Sequence, residues 1–221
     1  MLTLYHTTIS PNSRRVWVTL LEKGLEFELV ELKLSEGEQF KPDYLAINPF
    51  HHIPALVDDG FNVVESLAIL DYLEAKYPNP TMLPQDVKDL TIVRMVQMVS
   101  VNELLPSIDA LVPRIFDLPG EDLEKVEKAQ QKIATTLTFF EKLLGDRSYF
   151  GSDNLTLADA VAGTIVPIFS IRGGISLSEY PKVSAWCDRL MARPAWQASE
   201  ATPEAFENLR SILAARMQKN H

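Results

Sequence analysis

The residues best suited to chemistry gather in two places, the stretch from Asn48 to Ser66 and the segment around Ser10. Asn48 to Ser66 holds Pro49, His51, His52, Ile53, Pro54, an Asp58-Asp59-Gly60 turn signal and a closing Glu65-Ser66 pair. Pro54 has no N–H to give to a strand ladder, so the apolar run is interrupted there. Its main chain is left to serve something other than a sheet, and the stretch reads as the floor of a small-molecule site. Ser10-Pro11 precedes a segment of helical periodicity, the pattern of an N-cap serine with proline in the first helical position. Such a hydroxyl accepts from the helix amides and keeps its own proton to donate.

Other reactive side chains have plainer explanations. Asp159 follows Thr156 by three residues at the head of an apolar segment, where its carboxylate can take the Thr156 amide while the threonine hydroxyl caps the Asp159 amide. Cys187, the only cysteine, lies in a helical pattern after Trp186 and reads as a small hydrophobe. It can form no internal disulfide, which fits a reducing cytosol. His6 and His221 have no partners at ligand spacing, so no metal is expected.

The elements that must position these residues follow from periodicity. Leu2 to His6 and Glu26 to Leu32 alternate with period two, and between them Val16, Trp17, Leu20 and Leu21 share one helical face that ends at Gly24. Strand, helix, strand implies a parallel crossover. After a polar segment from Lys33 to Pro42, a short helix is expected at Asp43 to Ile47. Ala55-Leu56-Val57 and Phe61-Asn62-Val63-Val64 then flank a hairpin turn, and Ile69, Leu70, Leu73 and Tyr77 mark a helix that opens at Ser66. The order is βαβ-α-ββα. Prolines cluster without periodicity from Pro78 to Pro84, so residues 1–78 form one domain, 79–86 a linker and 87–221 a second domain. No convincing strand appears beyond the linker. An amphipathic helix over residues 86–105 stops near Pro106, and Val126, Ala129, Ile133, Leu137, Phe140 and Leu144 keep helical spacing up to Gly145. A final helix covers about Pro203 to Met217.

Composition narrows the function. Over 221 residues, 46% hydrophobic and 23% charged are globular values, and the net charge of −9 argues against a nucleic-acid partner. The longest apolar stretch, Ala160 to Ile171, is too short to span a bilayer, and no signal peptide is visible. A cytoplasmic protein with no membrane association is expected.

With these pieces in order, the chain resembles the cytosolic glutathione transferases over nearly its whole length. The resemblance is carried by Asn48-Pro49…Ile53-Pro54-Ala55-Leu56, Glu65-Ser66, Thr156-Leu157-Ala158-Asp159 and the run Tyr180-Pro181…Trp186…Arg189-Leu190…Ala192-Arg193-Pro194. It implies a thioredoxin-like α/β N-terminal domain, an all-α C-terminal domain, a homodimer and a cis peptide before Pro54. Ser10-Pro11-Asn12-Ser13-Arg14-Arg15-Val16 is similar to the serine-type classes (theta, phi, zeta), in which a serine precedes an Arg-Val pair by this interval. Ser10 is then the catalytic residue, with Ser13 as the competing hydroxyl. The absence of a cysteine here fits poorly with the disulfide-forming and dehydroascorbate-reducing branches, and the zeta-type Ser-Ser-Cys run is missing.

The co-substrate so implied is glutathione. The resemblance places its γ-glutamyl end against Glu65 and Ser66, its cysteinyl amides on the Ile53 main chain, and its glycine carboxylate near His52, with His51 as neighbour. Gln39 stands where relatives often carry a histidine. Met95, Met98, Val99 and Asn102, on the first helix after the linker, are candidates for the wall of the electrophile pocket. The expected activity is attack of the glutathione thiolate on a small hydrophobic electrophile. A non-catalytic binding or scaffold module of the same fold is the alternative, as is a glutathione-dependent peroxidase, isomerase or dehalogenase.

Overall fold

The structure, a computed structural model, describes residues 1–219, so His221 lies outside the described residues. The chain packs into two units, Met1–Thr81 with Pro194–Ile212, and Met82–Arg193 with the segment from Leu213 onward.

The first unit is built on four strands, β1 (Leu2–His6), β2 (Phe27–Glu31), β3 (Ala55–Asp58) and β4 (Phe61–Val64), in the order β2-β1-β3-β4. β2 runs parallel to β1, as the crossover through α1 (Pro11–Glu22) requires, whereas β3 is antiparallel to both β1 and β4. Asp59 and Gly60 both have positive φ (48° and 85°), the backbone of a two-residue hairpin turn whose twist matches its strands. Leu2, Leu4 and His6 alternate with half-buried Thr3 and Tyr5, so one face of β1 enters the core.

Local signals set the helix limits. Ser10 caps α1, Pro11 opens it, and Gly24 at φ 63° follows its end. The polar segment after β2 forms two 3-10 turns, Leu34–Glu36 and Glu38–Phe40, before the single-turn α2 (Pro42–Leu45). α3 (Ser66–Lys76) packs Ile69, Leu70 and Leu73 inward. Its end is tied down twice. Lys23 Nζ donates to Glu74 (2.6 Å) and to the carbonyls of Tyr77 (2.8 Å) and Pro80 (2.9 Å). Tyr72, Lys76 and Tyr77 all donate to Asp58 Oδ2.

The second unit is helical. The helix expected over 86–105 is interrupted: α4 (Val87–Val99) passes into one π turn at Ser100–Leu104, where the Leu105 N–H donates to the Ser100 carbonyl at 2.9 Å. Pro106 does not end the helical path, because proline is tolerated at the start of the next helix, α5 (Ser107–Ile115). α6 (Leu123–Leu144) buries the six residues its spacing singles out and is capped by Asp122, which accepts from the Lys125 N–H at 3.1 Å. α7 (Leu157–Ala162) is buried throughout, and α8 (Val166–Ile171) and α9 (Pro181–Met191) follow. At Gly151, φ is 72° and a Cβ would lie 2.6 Å from the Asp89 carbonyl oxygen, so only glycine fits. α10 (Pro194–Ala198) belongs to the first unit, and α11 (Pro203–Lys219) begins there and ends in the second. No described helix is long and apolar enough to cross a membrane.

Candidate active site

Register decides where the reactive groups meet. Tyr5 pairs with both Val30 and Ala55, and Ala55 pairs with Val64, so four residues form one row across the sheet. Beyond this row β1 and β2 run out at their carboxyl ends, β3 begins and β4 finishes. The loop to Ser10, the turns carrying Gln39, the Ile53-Pro54 step and the Glu65-Ser66 pair therefore all leave the sheet at the same end. Ligands of open α/β sheets bind at the carboxyl ends of parallel strands.

Ser10 is half-buried at the head of α1. Its N–H donates to the Thr7 carbonyl (3.2 Å) and its Oγ accepts from the Ser13 N–H (3.4 Å). It acts there as an acceptor and retains its hydroxyl proton to give. Ser13 is fully buried, its Oγ accepting from the Thr7 N–H at 3.3 Å, so Ser10 is the more accessible of the two hydroxyls.

The Ile53–Pro54 peptide is cis. Ile53 is half-buried, and neither its N–H nor its carbonyl pairs with another protein group among the described residues. His52 is exposed, edge-on to His51 at 5.3 Å, and His51 stacks obliquely on Phe40 at 4.9 Å. Gln39 is half-buried, with its Oε1 enclosed and unpartnered among the described residues. Glu65 is exposed and holds φ 66°, an uncommon conformation for a side-chain-bearing residue, immediately before α3. Strain of this kind gathers at ligand clamps.

Ser66 Oγ accepts from Arg15 Nη1 at 3.3 Å, which links α3 back to α1 five residues beyond Ser10. Arg15 is fully buried, and its Nε and Nη2 have no partner among the described residues. Burial lowers its pKa to about 10, so it is still a cation at neutral pH. An enclosed cation with free N–H groups beside a helix N-terminus attracts an anion twice over, through charge and through the helix amides. This residue is what sequence reading missed. The Arg14-Arg15-Val16 run serves there only to mark a class, although an arginine one residue before the apolar face of Val16 and Leu20 was a usable signal.

Among the electrophile candidates, Met95 is half-buried, Met98 is 50% exposed and Asn102 is exposed. Val99 lines an open cavity of about 530 Å³ in the second unit with Glu103, Lys132, Thr136 and Phe139. Asp159 is closed off from solvent and forms the capping box at the head of α7 with Thr156, as its spacing predicts. Burial pushes the Cys187 thiol up to about 12, leaving it inert. No cluster of three metal-ligating side chains occurs among the described residues.

Comparison with known proteins gives the family. The family model for the glutathione S-transferase N-terminal domain matches residues 4–81, and that for the C-terminal domain matches residues 104–194. Glutathione S-transferase 3 of Zea mays is 35% identical over 208 residues, covering 90% of this chain and 93% of that protein. The solved glutathione transferase F7 from Populus trichocarpa superposes with a TM-score of 0.80 at 28% identity, covering 93% of this chain and 99% of that one. A glutathione S-transferase-I solved with lactoylglutathione gives 0.79 at 26% identity, with 90% and 97% covered. The chain belongs to the glutathione S-transferase family. It is a serine-type member with a thioredoxin-like first unit, and an enzyme whose co-substrate is glutathione.

Proposed function

We propose that this transferase adds the glutathione thiolate to small hydrophobic electrophiles, with the Ser10 hydroxyl as the group that stabilises the thiolate. A free thiol with pKa about 8.5 is only a few per cent ionised near neutral pH. Lowering that pKa by one unit requires about 1.4 kcal/mol of preference for the charged form. One hydrogen bond to a charged group contributes about 1.5–3 kcal/mol, and the N-terminus of α1 adds to it. The observation that carries the reading is convergence. Ser10, the unpaired Ile53 main chain and the Arg15–Ser66 link all lie at one end of the sheet.

In this reading the residues divide the tripeptide among them. Glu65 faces the γ-glutamyl ammonium, while Ser66, backed by Arg15 and the first amides of α3, takes the adjacent carboxylate. The Ile53 main chain pairs with the cysteinyl amides as a strand adds to a sheet edge. His52 and Gln39 serve the glycine end. The proposed glutathione-binding domain is residues 1–78, with 79–86 as linker and 87–221 as the helical domain, of which Pro194–Ile212 packs with the first unit. Met95, Met98, Val99 and Asn102 are its candidates for the electrophile wall. That a relative was solved with lactoylglutathione supports a ligand of this kind on the same fold. A homodimer, a role in detoxification and a cytoplasmic location complete the proposal.

The test is conjugation of glutathione to a generic aryl halide, followed spectroscopically, beside retention on immobilised glutathione. Turnover with retention is the expected result. Retention without turnover across a panel of electrophiles would replace the enzyme reading with that of a binding module.

A further inference from the structure

Tyr44 lies in α2, outside every group assigned above, yet its hydroxyl is committed to the binding loop. The ring is 3% exposed, packs against Tyr5 with centroids 5.7 Å apart, and sits in a small core with Leu32 and Ala55 on which the Ile53 side chain also rests. Its Oη donates to the His52 carbonyl at 2.5 Å, and Asn48 Nδ2 donates to the same oxygen at 2.8 Å. Two donors thus converge on one loop carbonyl.

The consequence follows from the planarity of the peptide bond. In a trans peptide the carbonyl oxygen and the following N–H point in opposite directions, so fixing the His52 oxygen fixes the direction of the Ile53 N–H. That N–H is half of the free main-chain edge. A buried tyrosine hydroxyl needs some acceptor, and a core role alone would satisfy that need. The carbonyl has two lone pairs, however, and Asn48 fills only one; with Tyr44 on the other, two donors from different directions fix an orientation that one donor would leave free.

We infer that Tyr44 is a positioning residue for glutathione: with Asn48 it locks the His52–Ile53 peptide plane so that the Ile53 N–H faces the tripeptide. The inference rests on the transferase reading, in which the Ile53 main chain contacts glutathione. Tyr44→Phe removes only the hydroxyl and leaves the ring packed. Steady-state kinetics with each substrate varied, together with urea unfolding, read the outcome. The expected result is a KM for glutathione raised about three- to tenfold, the loss that one neutral hydrogen bond gives, with kcat and the KM for the electrophile little changed. In an Asn48→Ala background the same substitution raises KM by a larger factor, because the carbonyl then loses its last donor. An unchanged KM for glutathione in Tyr44→Phe, with lowered stability, would make Tyr44 an ordinary core residue and overturn the inference. A wild type that neither retains nor turns over glutathione overturns the transferase reading itself, and that result is visible before any variant is made.

Discussion

Two fully buried charges, one in each unit, are treated in opposite ways. Asp159 accepts four hydrogen bonds, from the N–H groups of Thr156 (2.7 Å) and Phe150 (3.1 Å), the Thr156 hydroxyl (2.8 Å) and the Trp186 indole (2.9 Å). Burial pushes its carboxyl up to about 6 while these donors pull it down, and with nothing but donors around it the group is a carboxylate at neutral pH. Among the described residues Arg15 has one partner, Ser66, and two groups left over. A charge whose valences are all filled from within holds the fold together. One that is enclosed yet incompletely partnered is held ready for something that arrives from outside.

Substitution of each charge sharpens this contrast. Asp159→Ala strands three donors at once, the Thr156 hydroxyl keeping the Phe150 carbonyl at 3.1 Å as an acceptor, so unfolding free energy in urea falls by at least about 3 kcal/mol. Ser10→Ala has its main effect on catalysis: turnover falls about ten- to hundredfold, the loss of one hydrogen bond to a thiolate, while the lost cap costs only about 1 kcal/mol of stability. If the two losses were reversed, Ser10 would be only a cap. Arg15→Met fills the same space without a charge, so stability is unchanged or rises by about 1–4 kcal/mol. Its KM for glutathione rises about tenfold in the same preparation, the loss of one charge-assisted hydrogen bond. A destabilised Arg15→Met with an unchanged KM would place Arg15 with Asp159.

The smallest effect concerns Asp58, a closed charge in the same unit as Arg15. Burial raises its pKa, but the hydrogen bonds from Lys76, Tyr72 and Tyr77 together outweigh burial and hold it below the ordinary 3.8. A carboxyl whose folded pKa is depressed contributes stability in full above its unfolded pKa and loses it as pH falls through the folded one. The difference in unfolding free energy between wild type and Asp58→Asn is therefore flat above about pH 5 and shrinks below about pH 4. A difference that grew on acidification would contradict the hydrogen-bond geometry.

The frame of both units was legible because local signals agreed with the fold. Period-two runs became β1 and β2, the apolar runs on either side of Asp59-Gly60 became the hairpin strands β3 and β4, and Thr156 with Asp159 made the capping box. The cap at Ser10 and the break at Pro54 were legible because capping and proline patterns are written in sequence. Glu65-Ser66 stood out only through the resemblance, and no side chain caps α3 there. What could not be read depends on partners far along the chain. Nothing near Arg15 says that its guanidinium reaches Ser66, 51 positions on, or that no acid among the described residues meets it. The π turn at Ser100–Leu104 was equally hidden, since its composition continues the pattern of α4.

The row of Val30, Tyr5, Ala55 and Val64 has a practical consequence for anyone altering this chain. At the far end of β3 and β4, the Asp59-Gly60 turn can be lengthened to carry a tag or label, because an added loop there leaves the pairing of Ala55 untouched. Deleting one residue inside β3 is another matter. It would either pull the Ile53 peptide away from Ser10 or turn every β3 side chain to the opposite face. The tolerance of this domain to insertion is therefore polarised along its strands, permissive at one rim and unforgiving at the other.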